Sequence, residues 1–301
     1  MGLHRLTSIT VGTPDVSASA AFYRDFGLTE VRPAVFATRD GGEQLHLVQA
    51  PRRRLLELGI GAEHADDLAR IAAALQQIGA PAERSAERLV VHEPASDVRV
   101  TIAVAAAIVQ QPAAPARANA PGAITRRNAR ADSFARSAAV APRKLGHVVI
   151  GSPDAAASRR FFVDGLGFKV SDEIAGVAAF LRCSKDHHNV LVQGAPVPFL
   201  HHTAWQVDDV DEIGRGAQAM IAADPRRHAW GLGRHFLGSN YFWYLREPSG
   251  AFAEYYSDLD VIDDDAAWRP EAAVGMNGLY AWGPPVPSEF VAPTDLLEAK
   301  A

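Results

Sequence analysis

The sequence predicts an α+β fold of two tandem domains, each made of paired strand–helix–strands modules that curl into a cupped, mostly antiparallel sheet. Two observations lead to this prediction. A strand, a turn and an amphipathic helix occur twice, over residues 9–25 and 148–164, and the two copies align without a gap. A second, shorter similarity relates HEPASDVRVTI near Glu93 to REPSGAFAEYY near Glu247. Because these landmarks recur in the same order, a duplicated fold explains them better than chance.

Each copy begins with an apolar strand that runs into Thr-Pro-Asp or Ser-Pro-Asp and then into a helix with paired aromatic residues. We expect a hydroxyl N-cap with proline at the first helical position, at Thr13-Pro14 and Ser152-Pro153. A glycine that can turn left-handed should end each helix, at Gly27 and Gly167. One further helix per half, DDLARIAAALQQIG and VDEIGRGAQAMIAA, and short alternating strands complete the modules.

Composition shifts divide the chain into an N-terminal domain over residues 1–110, a linker over 111–143, a second domain over 144–265 and an irregular tail over 266–301. The linker is rich in alanine, proline and arginine and has no apolar periodicity. Its arginines could bind nucleic acid, but basic and aromatic residues do not alternate in it, and we interpret it as a spacer. The tail contains aromatic residues that we expect to pack on the sheet or on a partner subunit.

Composition also limits the classes of function. The 301 residues carry a formal net charge of −5, which gives no general attraction to nucleic acid or to an anionic membrane. The start of the chain lacks the pattern of a signal peptide, and no apolar run approaches membrane-spanning length. Cys183 is the single cysteine, which excludes an internal disulfide framework. We expect Cys183 to be a buried residue rather than a nucleophile, and the protein to be cytoplasmic.

Three residues of the second half have the chemistry of one metal site. His147 and His202 each open an apolar strand that borders a turn, and Glu254 lies inside the strand FAEYY after the turn EPSG. Two imidazoles and one carboxylate on one face of an octahedral metal leave the opposite face free for a bidentate substrate and dioxygen. These residues are therefore our candidate ligands.

The internal repeat provides a control for this prediction. Alignment places Ser8 opposite His147, and matching the later landmarks places Ile60 and Val100 opposite the other two candidates. None of these three residues is a metal ligand of the predicted kind. We expect the metal to belong to the second domain alone, and the first domain to be structural or to form a wall of the access route.

The second half resembles the catalytic domain of type I extradiol ring-cleavage dioxygenases, such as those that cleave catechol or 2,3-dihydroxybiphenyl, in the vicinal oxygen chelate superfamily. The resemblance covers nearly the whole chain, since these enzymes are built from paired βαβββ modules. The motifs that carry it are GHVVI around His147, DHHNVLV around His188, LHHTAWQV around His202, GLGRH ending at His235, and FWYLREPSGAFAEYY, which contains Tyr244 and Glu254.

The resemblance implies a role for each matched residue. His147, His202 and Glu254 would be the iron ligands, with His202 preferred to His201 because it directly precedes the strand TAWQV. The resemblance makes His188 a catalytic proton relay, and a histidine suits this role because its ordinary pKa is near neutrality.

Further implied roles concern the residues around the substrate. His235 and Tyr244 would be catalytic residues that form hydrogen bonds to the substrate hydroxylate and the ring-opening intermediate. His187 should face away from the site, because neighbours on a strand point to opposite sides. His228 matches no position of the motif, and we place it on the surface.

The function implied is Fe(II)-dependent extradiol (meta) cleavage of a catecholic diol by dioxygen to a muconic-semialdehyde-type product, in aromatic compound degradation. Mn(II) is the alternative metal, because imidazole and carboxylate ligands accept both. The expected partners are a small catechol and O2, with neither nucleic acid nor membrane, and family habit implies a homo-oligomer. We expect an aromatic pocket formed by Phe180, Trp205, Phe236 and Trp243, with Arg182 or Arg234 available to pair a substrate carboxylate.

Two other functions remain open. A glyoxalase-like isomerase using another divalent metal usually needs a further acidic ligand, and the alignment places no aspartate or glutamate at the equivalent first-half positions. A drug-binding module of the bleomycin-resistance type needs an aromatic groove but no metal. The complete set of candidate ligands favours the dioxygenase over both.

Overall fold

The computed structural model describes residues 2–114 and 116–293. The first half contains the strands β1 (Leu3–Thr13), β2 (Thr29–Arg32), β3 (Val35–Thr38), β4 (Gly42–Gln49), β5 (Arg54–Ala62), β6 (Glu83–Arg84), β7 (Arg88–His92) and β8 (Arg99–Val104). Its helices are α1 (Val16–Asp25) and α2 (Ala65–Gln77).

The second half repeats this order of elements. Its strands are β9 (Lys144–Ser152), β10 (Lys169–Ile174), β11 (Ala178–Arg182), β12 (Val190–Gly194), β13 (Phe199–Gln206), β14 (His228–Arg234), β15 (Tyr241–Arg246), β16 (Phe252–Ser257) and the short β17 (Ala272–Ala273). Its helices are α3 (Ala155–Arg160), α4 (Val210–Ala223) and α5 (Ser288–Val291), and a π-helical turn over Phe161–Gly165 extends α3.

Each half forms one sheet from two βαβββ modules. The strand order is β2-β3-β4-β1-β5-β8-β7-β6 in the first sheet and β14-β15-β16-β13-β9-β12-β11-β10-β17 in the second. Most neighbouring strands run antiparallel, and the first and last strands of each module pair in parallel. The two modules of a half meet at an antiparallel pair, β1 with β5 or β9 with β13. The predicted α+β fold of duplicated modules is thus confirmed.

The predicted helix starts are wrong by two residues. The N-caps are Asp15 and Asp154, whose carboxylates accept the amide protons of Ala18 and Ala157 at 2.9 Å. The hydroxyls of the predicted caps, Thr13 and Ser152, instead form hydrogen bonds to a serine hydroxyl inside each helix, with Oγ–Oγ distances of 2.8 and 2.7 Å. Each proline therefore precedes the cap rather than opening the helix. An aspartate next to the first turn competes with a hydroxyl for the same amide protons, and the motif contains both.

The glycines predicted to end these helices do so. Gly27 has φ +93° and Gly167 has φ +80°, in the left-handed region where a β-carbon is disfavoured. A β-carbon on Gly27 would also lie 2.0 Å from the carbonyl oxygen of Val140. Glycine at this position therefore allows the end of the linker to run directly against the first half.

The two halves pack through aromatic rings and buried hydrogen bonds. The ring of Phe26 stacks on Tyr255 with centroids 3.9 Å apart, and the Tyr255 hydroxyl donates to the Phe26 carbonyl at 2.6 Å. The side-chain oxygen of Gln44, in β4, accepts the amide proton of Leu145 at 2.8 Å. The first half therefore satisfies a buried backbone donor in β9, the strand that carries His147.

Linker and tail both bind to the second half. Arg136 of the linker forms a bidentate ion pair with Asp209, with N–O distances of 2.9 and 2.6 Å. In the tail, β17 pairs with β10, and the Trp230 indole donates to the carbonyl of Pro284 at 2.9 Å. The tail thus packs on the second sheet. None of the helices in the described part of the chain has the length and apolar character needed to span a bilayer.

Candidate metal centre

Strand register brings the candidate ligands to one face of the second sheet. On β13, Ala204 pairs with His147 of β9 on one side and with Glu254 of β16 on the other. Residues directly opposite one another point to the same face of a sheet. His202 lies two residues before Ala204 and faces the same way. Ala204 has no side chain beyond its β-carbon, so the side chains from the flanking strands can meet above it.

The three candidate side chains converge on one point. Oε2 of Glu254 lies 3.1 Å from Nε2 of His147 and 3.5 Å from Nε2 of His202. One donor atom from each residue lies within 4.8 Å of the other two, and no other group of three such residues occurs in the described ranges. All three residues are buried in mid-strand, whereas the sequence placed His147 and His202 at the starts of their strands.

The convergence fits a metal ion. Nε2 of His202 is buried without a hydrogen-bond partner, although an unpartnered buried nitrogen costs free energy. A cation at the meeting point would satisfy it. Donor atoms roughly 3 Å apart are the spacing expected when each lies about 2.0–2.2 Å from a common divalent ion. Two imidazoles and one carboxylate are a donor set that iron and manganese both accept.

Asn240 orients the carboxylate. Its side-chain amide donates to Oε1 of Glu254 at 3.1 Å, which leaves Oε2 directed at the two imidazoles. Such outer hydrogen bonds set the orientation of a metal-binding carboxylate. Asn240 was not predicted from the sequence. It lies between Gly-Ser and an aromatic strand, where asparagine is ordinarily an exposed turn residue. Only its burial, which the structure shows, distinguishes it from such a residue.

His235 and Tyr244 form a pair beside the carboxylate. Tyr244 lies directly across from Glu254 in the β15–β16 ladder, and its hydroxyl is 2.8 Å from Nε2 of His235. Nδ1 of His235 donates to the carbonyl of Leu279 at 2.5 Å. Burial lowers the pKa of His235 and raises the pKa of Tyr244 well above its usual range. At neutral pH the phenol therefore keeps its proton, and its O–H donates a hydrogen bond to Nε2 of the neutral imidazole.

His188 lies next to the candidate ligands. Its ring centroid is 4.1 Å from that of His147, and it lines the same cavity. Burial, followed by the neighbouring histidines, holds the pKa of His188 well below its usual value, which makes the neutral imidazole the stable form. His187 does not line the cavity and contacts the Asp172 carboxylate at 2.8 Å.

His147, His188, His202, His235 and Tyr244 line one cavity of about 300 Å³. The other walls are mostly apolar and come from both the sheet and the tail, chiefly Val149, Ile174, Phe180, Leu191, Leu279 and Phe290. No lysine, arginine, aspartate or glutamate of the described chain is among the lining residues. The cavity is therefore uncharged away from the candidate metal centre.

Three of the four aromatic residues expected in this pocket lie elsewhere. Only Phe180 lines the cavity. Trp205 is buried between the halves, with its ring edge-on to Tyr23, and Trp243 donates to His228 on the exposed side of β15. Phe236 is largely exposed. Composition could not distinguish a core ring from a pocket ring, because both lie in apolar strands.

The two arginines proposed to pair a substrate carboxylate are already engaged. Arg182 is buried and binds Asp265, and Arg234 binds Asp258 at 2.7 Å. Neither lines the cavity. Their ionic partners come from distant parts of the chain, which local sequence did not reveal.

The alignment that placed first-half residues opposite the candidate ligands is wrong at two of the three positions. In the first half, Ser8 pairs with Gly59, Glu57 pairs with Arg99, and Gly59 pairs with Thr101. By this register Glu57 and Thr101, rather than Ile60 and Val100, correspond to His202 and Glu254. The alignment was wrong for two reasons. The halves differ in the connection before the second helix, and the turn after β7 is one residue longer than the turn after β15.

An acidic residue therefore does stand at one equivalent first-half position. Glu57 binds Arg99 at 2.5 Å and accepts a hydrogen bond from Thr10 at 3.1 Å. Within the described residues, no three metal-binding side chains of the first half lie together. Glu57 is thus an ion-pair residue and does not line the cavity of the second half.

Residues 144–255 match the model of the glyoxalase/bleomycin resistance protein/dioxygenase superfamily. The chain is 40% identical over 158 residues to metapyrocatechase 2 of Cupriavidus necator, a match over 52% of this chain and 49% of that protein. The chain thus spans about half the length of the curated relatives it matches.

Solved structures match over most of the chain. A Mn(II)-bound glyoxalase from Novosphingobium aromaticivorans is 25% identical with a TM-score of 0.73, covering 93% of this chain and 91% of that one. Homoprotocatechuate 2,3-dioxygenase from Arthrobacter globiformis, at 19% identity, has a TM-score of 0.74 over 96% and 91%. The second likeness concerns the fold alone.

Proposed function

We propose that the protein is an extradiol dioxygenase that cleaves a catecholic ring next to its diol with both atoms of O2. The observation that carries this proposal is the convergence of two imidazole nitrogens and one carboxylate oxygen beside a largely apolar cavity. The match to metapyrocatechase 2 over half of each chain supports it. In this proposal residues 144–265 are the catalytic domain, and residues 1–110 support it.

His147, His202 and Glu254 would hold the metal, which we assign as Fe(II) with Mn(II) as the alternative. When bound, the metal would supply adjacent coordination positions for a catechol diol and dioxygen. The protein supplies the geometry. Asn240 holds the carboxylate in place, and the apolar walls exclude water from the ring.

Three further polar residues of the cavity would accept or donate protons during the reaction. His188 is neutral and faces the cavity, so it can accept a proton from a catechol hydroxyl. His235 and Tyr244 line the same space and present a phenolic hydroxyl that can turn from the imidazole to a substrate oxygen. These roles remain proposals that follow from position and protonation.

The substrate that fits is a catechol with an alkyl or aryl substituent. An ionised carboxylate placed among these walls would lose its hydration without gaining a cation, which is strongly unfavourable. The apolar side chains from the tail would instead contact a hydrocarbon substituent. Catechol and O2 are the partners proposed, and a homo-oligomer in the cytoplasm remains a prediction.

The test is anaerobic loading with Fe(II) or Mn(II), followed by a substrate panel in air. Oxygen uptake is followed with an electrode and the yellow ring-opened product by absorbance. We expect 2,3-dihydroxybiphenyl and 3-methylcatechol to give product with a higher kcat/KM than homoprotocatechuate, which carries a carboxylate. Tight binding of catechols without oxygen uptake would contradict ring cleavage and indicate a binding module.

The likeness to a Mn(II)-bound glyoxalase over 93% of the chain makes a metal-dependent isomerase the second candidate. The three-donor centre argues against it, because no fourth acidic donor lies among the described cavity residues. Turnover of a glutathione hemithioacetal without oxygen uptake would favour the isomerase.

A further inference from the structure

Two adjacent histidine pairs reach the cavity in the same way. His187 and His188 contact each other through their Nδ1 atoms at 3.0 Å, and His201 and His202 do so at 2.7 Å. All four rings are buried. In each pair the second histidine, here called inner, lines the cavity beside the candidate metal centre. The first, here called outer, has its Nε2 on a further hydrogen-bond partner, and of the two outer histidines His201 also lines the cavity.

Each outer partner is an acceptor. Nε2 of His187 lies 2.8 Å from Oδ2 of Asp172, and Nε2 of His201 lies 2.6 Å from the carbonyl oxygen of Phe290. Neither an ionised carboxylate nor a carbonyl can donate a proton, so Nε2 of the outer histidine must carry one. We take the outer histidine as neutral; a neutral imidazole has a single N–H, and its Nδ1 is then an acceptor.

The tautomer of the inner histidine follows from that of the outer histidine. Because Nδ1 of His187 accepts, Nδ1 of His188 must donate, and Nε2 of His188 is left with a lone pair on the opposite edge of the ring. The same sequence of bonds leaves a lone pair on Nε2 of His202. That atom is the buried, unpartnered nitrogen at the candidate metal centre.

From these contacts we infer that Asp172 and His187 are positioning residues that hold His188 as the Nδ1–H tautomer, with its Nε2 lone pair directed into the cavity. His201 and the Phe290 carbonyl do the same for His202. The hydrogen-bond direction stands independently of any activity. The consequence for catalysis rests on the proposed function, since only an unprotonated Nε2 can form an N–H bond as the O–H bond of a catechol breaks.

The surroundings of His187 favour a single arrangement. The rings of Phe180 and Trp268 pack edge-on against it, with centroids 5.8 and 5.5 Å away, so water cannot replace the Asp172 bond. The second carboxylate oxygen of Asp172 accepts the amide proton of Glu271 at 2.6 Å. Both oxygens of this buried carboxylate are therefore committed as acceptors.

Because both carboxylate oxygens accept hydrogen bonds, Asp172→Asn is an informative variant. Its amide oxygen must face the Glu271 amide, because that backbone group can only donate. The –NH2 group then faces Nε2 of His187 and donates to it, which reverses every bond in the series. His188 would present an N–H to the cavity in place of a lone pair, with nearly unchanged side-chain volume.

The experiment is long-range proton–nitrogen NMR on the full-length chain labelled with ¹⁵N-histidine, with the metal-free protein and the protein loaded with diamagnetic Zn(II). We expect His188 to carry its proton on Nδ1 in the wild type and on Nε2 in Asp172→Asn. The wild-type spectrum tests the inference even if the variant folds poorly. A wild-type His188 protonated on Nε2, or one that Asp172→Asn leaves unchanged, would overturn it.

Kinetics of the Fe(II)-loaded enzyme supply the second readout. We expect Asp172→Asn to lower kcat by about 10²- to 10⁴-fold with KM little changed, as for other wrong-tautomer histidines. Asp186→Asn is the matched control, because it lies one residue from His187 but binds Lys144 at 2.6 Å and touches neither ring. Absence of ring cleavage in a wild type with the expected tautomer would reject the proposed function and keep the positioning role.

Discussion

At the scale of single residues, the candidate centre depends on a small side chain as much as on its donors. His147 and Glu254 come from strands on either side of Ala204, and both reach over its methyl group. An imidazole and a carboxylate thereby lie 3.1 Å apart, and the register of β9 and β13 shifts directly after Ala204. The third donor, Nε2 of His202, has no other partner, so its affinity for a cation is not offset by a competing hydrogen bond.

His202→Ala should therefore abolish stabilisation by metal. With free Mn(II) at about 100 times its Kd, binding to the native state alone raises the free energy of unfolding by about 2.7 kcal/mol. We expect this gain in the wild type and none in the variant, measured by denaturant titration with and without Mn(II). His228→Ala, an exposed histidine on β14, should keep the full gain. A metal response retained by His202→Ala would contradict the assignment.

At the scale of elements, the carboxylate that caps α4 also binds another segment of the chain. Asp209 caps α4 by accepting the Glu212 amide proton at 3.0 Å and binds Arg136 of the linker. Burial raises the pKa of Asp209, but the hydrogen bonds from Arg136 and from the helix amides outweigh it and lower the pKa overall. One side chain therefore fixes both the start of the helix and the position of the linker.

Asp209→Ala should lower the free energy of unfolding by about 1–2 kcal/mol, the ordinary effect of losing a helix cap. Asp211→Ala, in the same first turn, makes the same charge change without removing the cap and should have a smaller effect. Because the pKa of Asp209 is lowered on folding, its contribution is complete above about pH 3.8 and is lost as the pH falls through the folded-state pKa. Urea titrations at several pH values check both expectations, and equal effects of the two variants would contradict the cap.

At the scale of the whole molecule, the first half shapes the second although it holds no candidate ligand. Gln44 is fully buried, and its side chain accepts from Thr38 and Leu145 and donates to the Leu6 carbonyl. Leu145 is two residues from His147 on β9. This one amide therefore joins the central strands of both sheets and helps to set the position of a candidate ligand.

Gln44→Met keeps the side-chain volume and removes all three bonds. We expect the free energy of unfolding to fall by about 2–5 kcal/mol, because several buried polar groups lose their partners. Gln49→Met is the control, since its side chain donates to Pro14 at an exposed position. Thermal and denaturant unfolding measure both. A Gln44→Met protein as stable as the Gln49→Met protein would show that the halves do not depend on this bond.

The sequence alone determined the features that are local or repeated. The duplicated modules, the glycines that end the first helices and the burial of Cys183 follow from short patterns whose physics acts within one turn or one strand. The residues expected to form a metal site could also be named, because their chemical types recur in strand motifs that resemble a known family. Neither kind of inference requires knowing which strands are neighbours.

Only the tertiary structure decided which residues meet. The role of Ala204 depends on strand register, which bulges and turn lengths set and which residue counting placed wrongly in the first half. The contacts of Asn240 with Glu254, of Asp172 with His187 and of Phe290 with His201 join segments 14 to 89 residues apart. Such contacts form because the packed sheet brings distant chain segments together, and no local preference encodes that proximity.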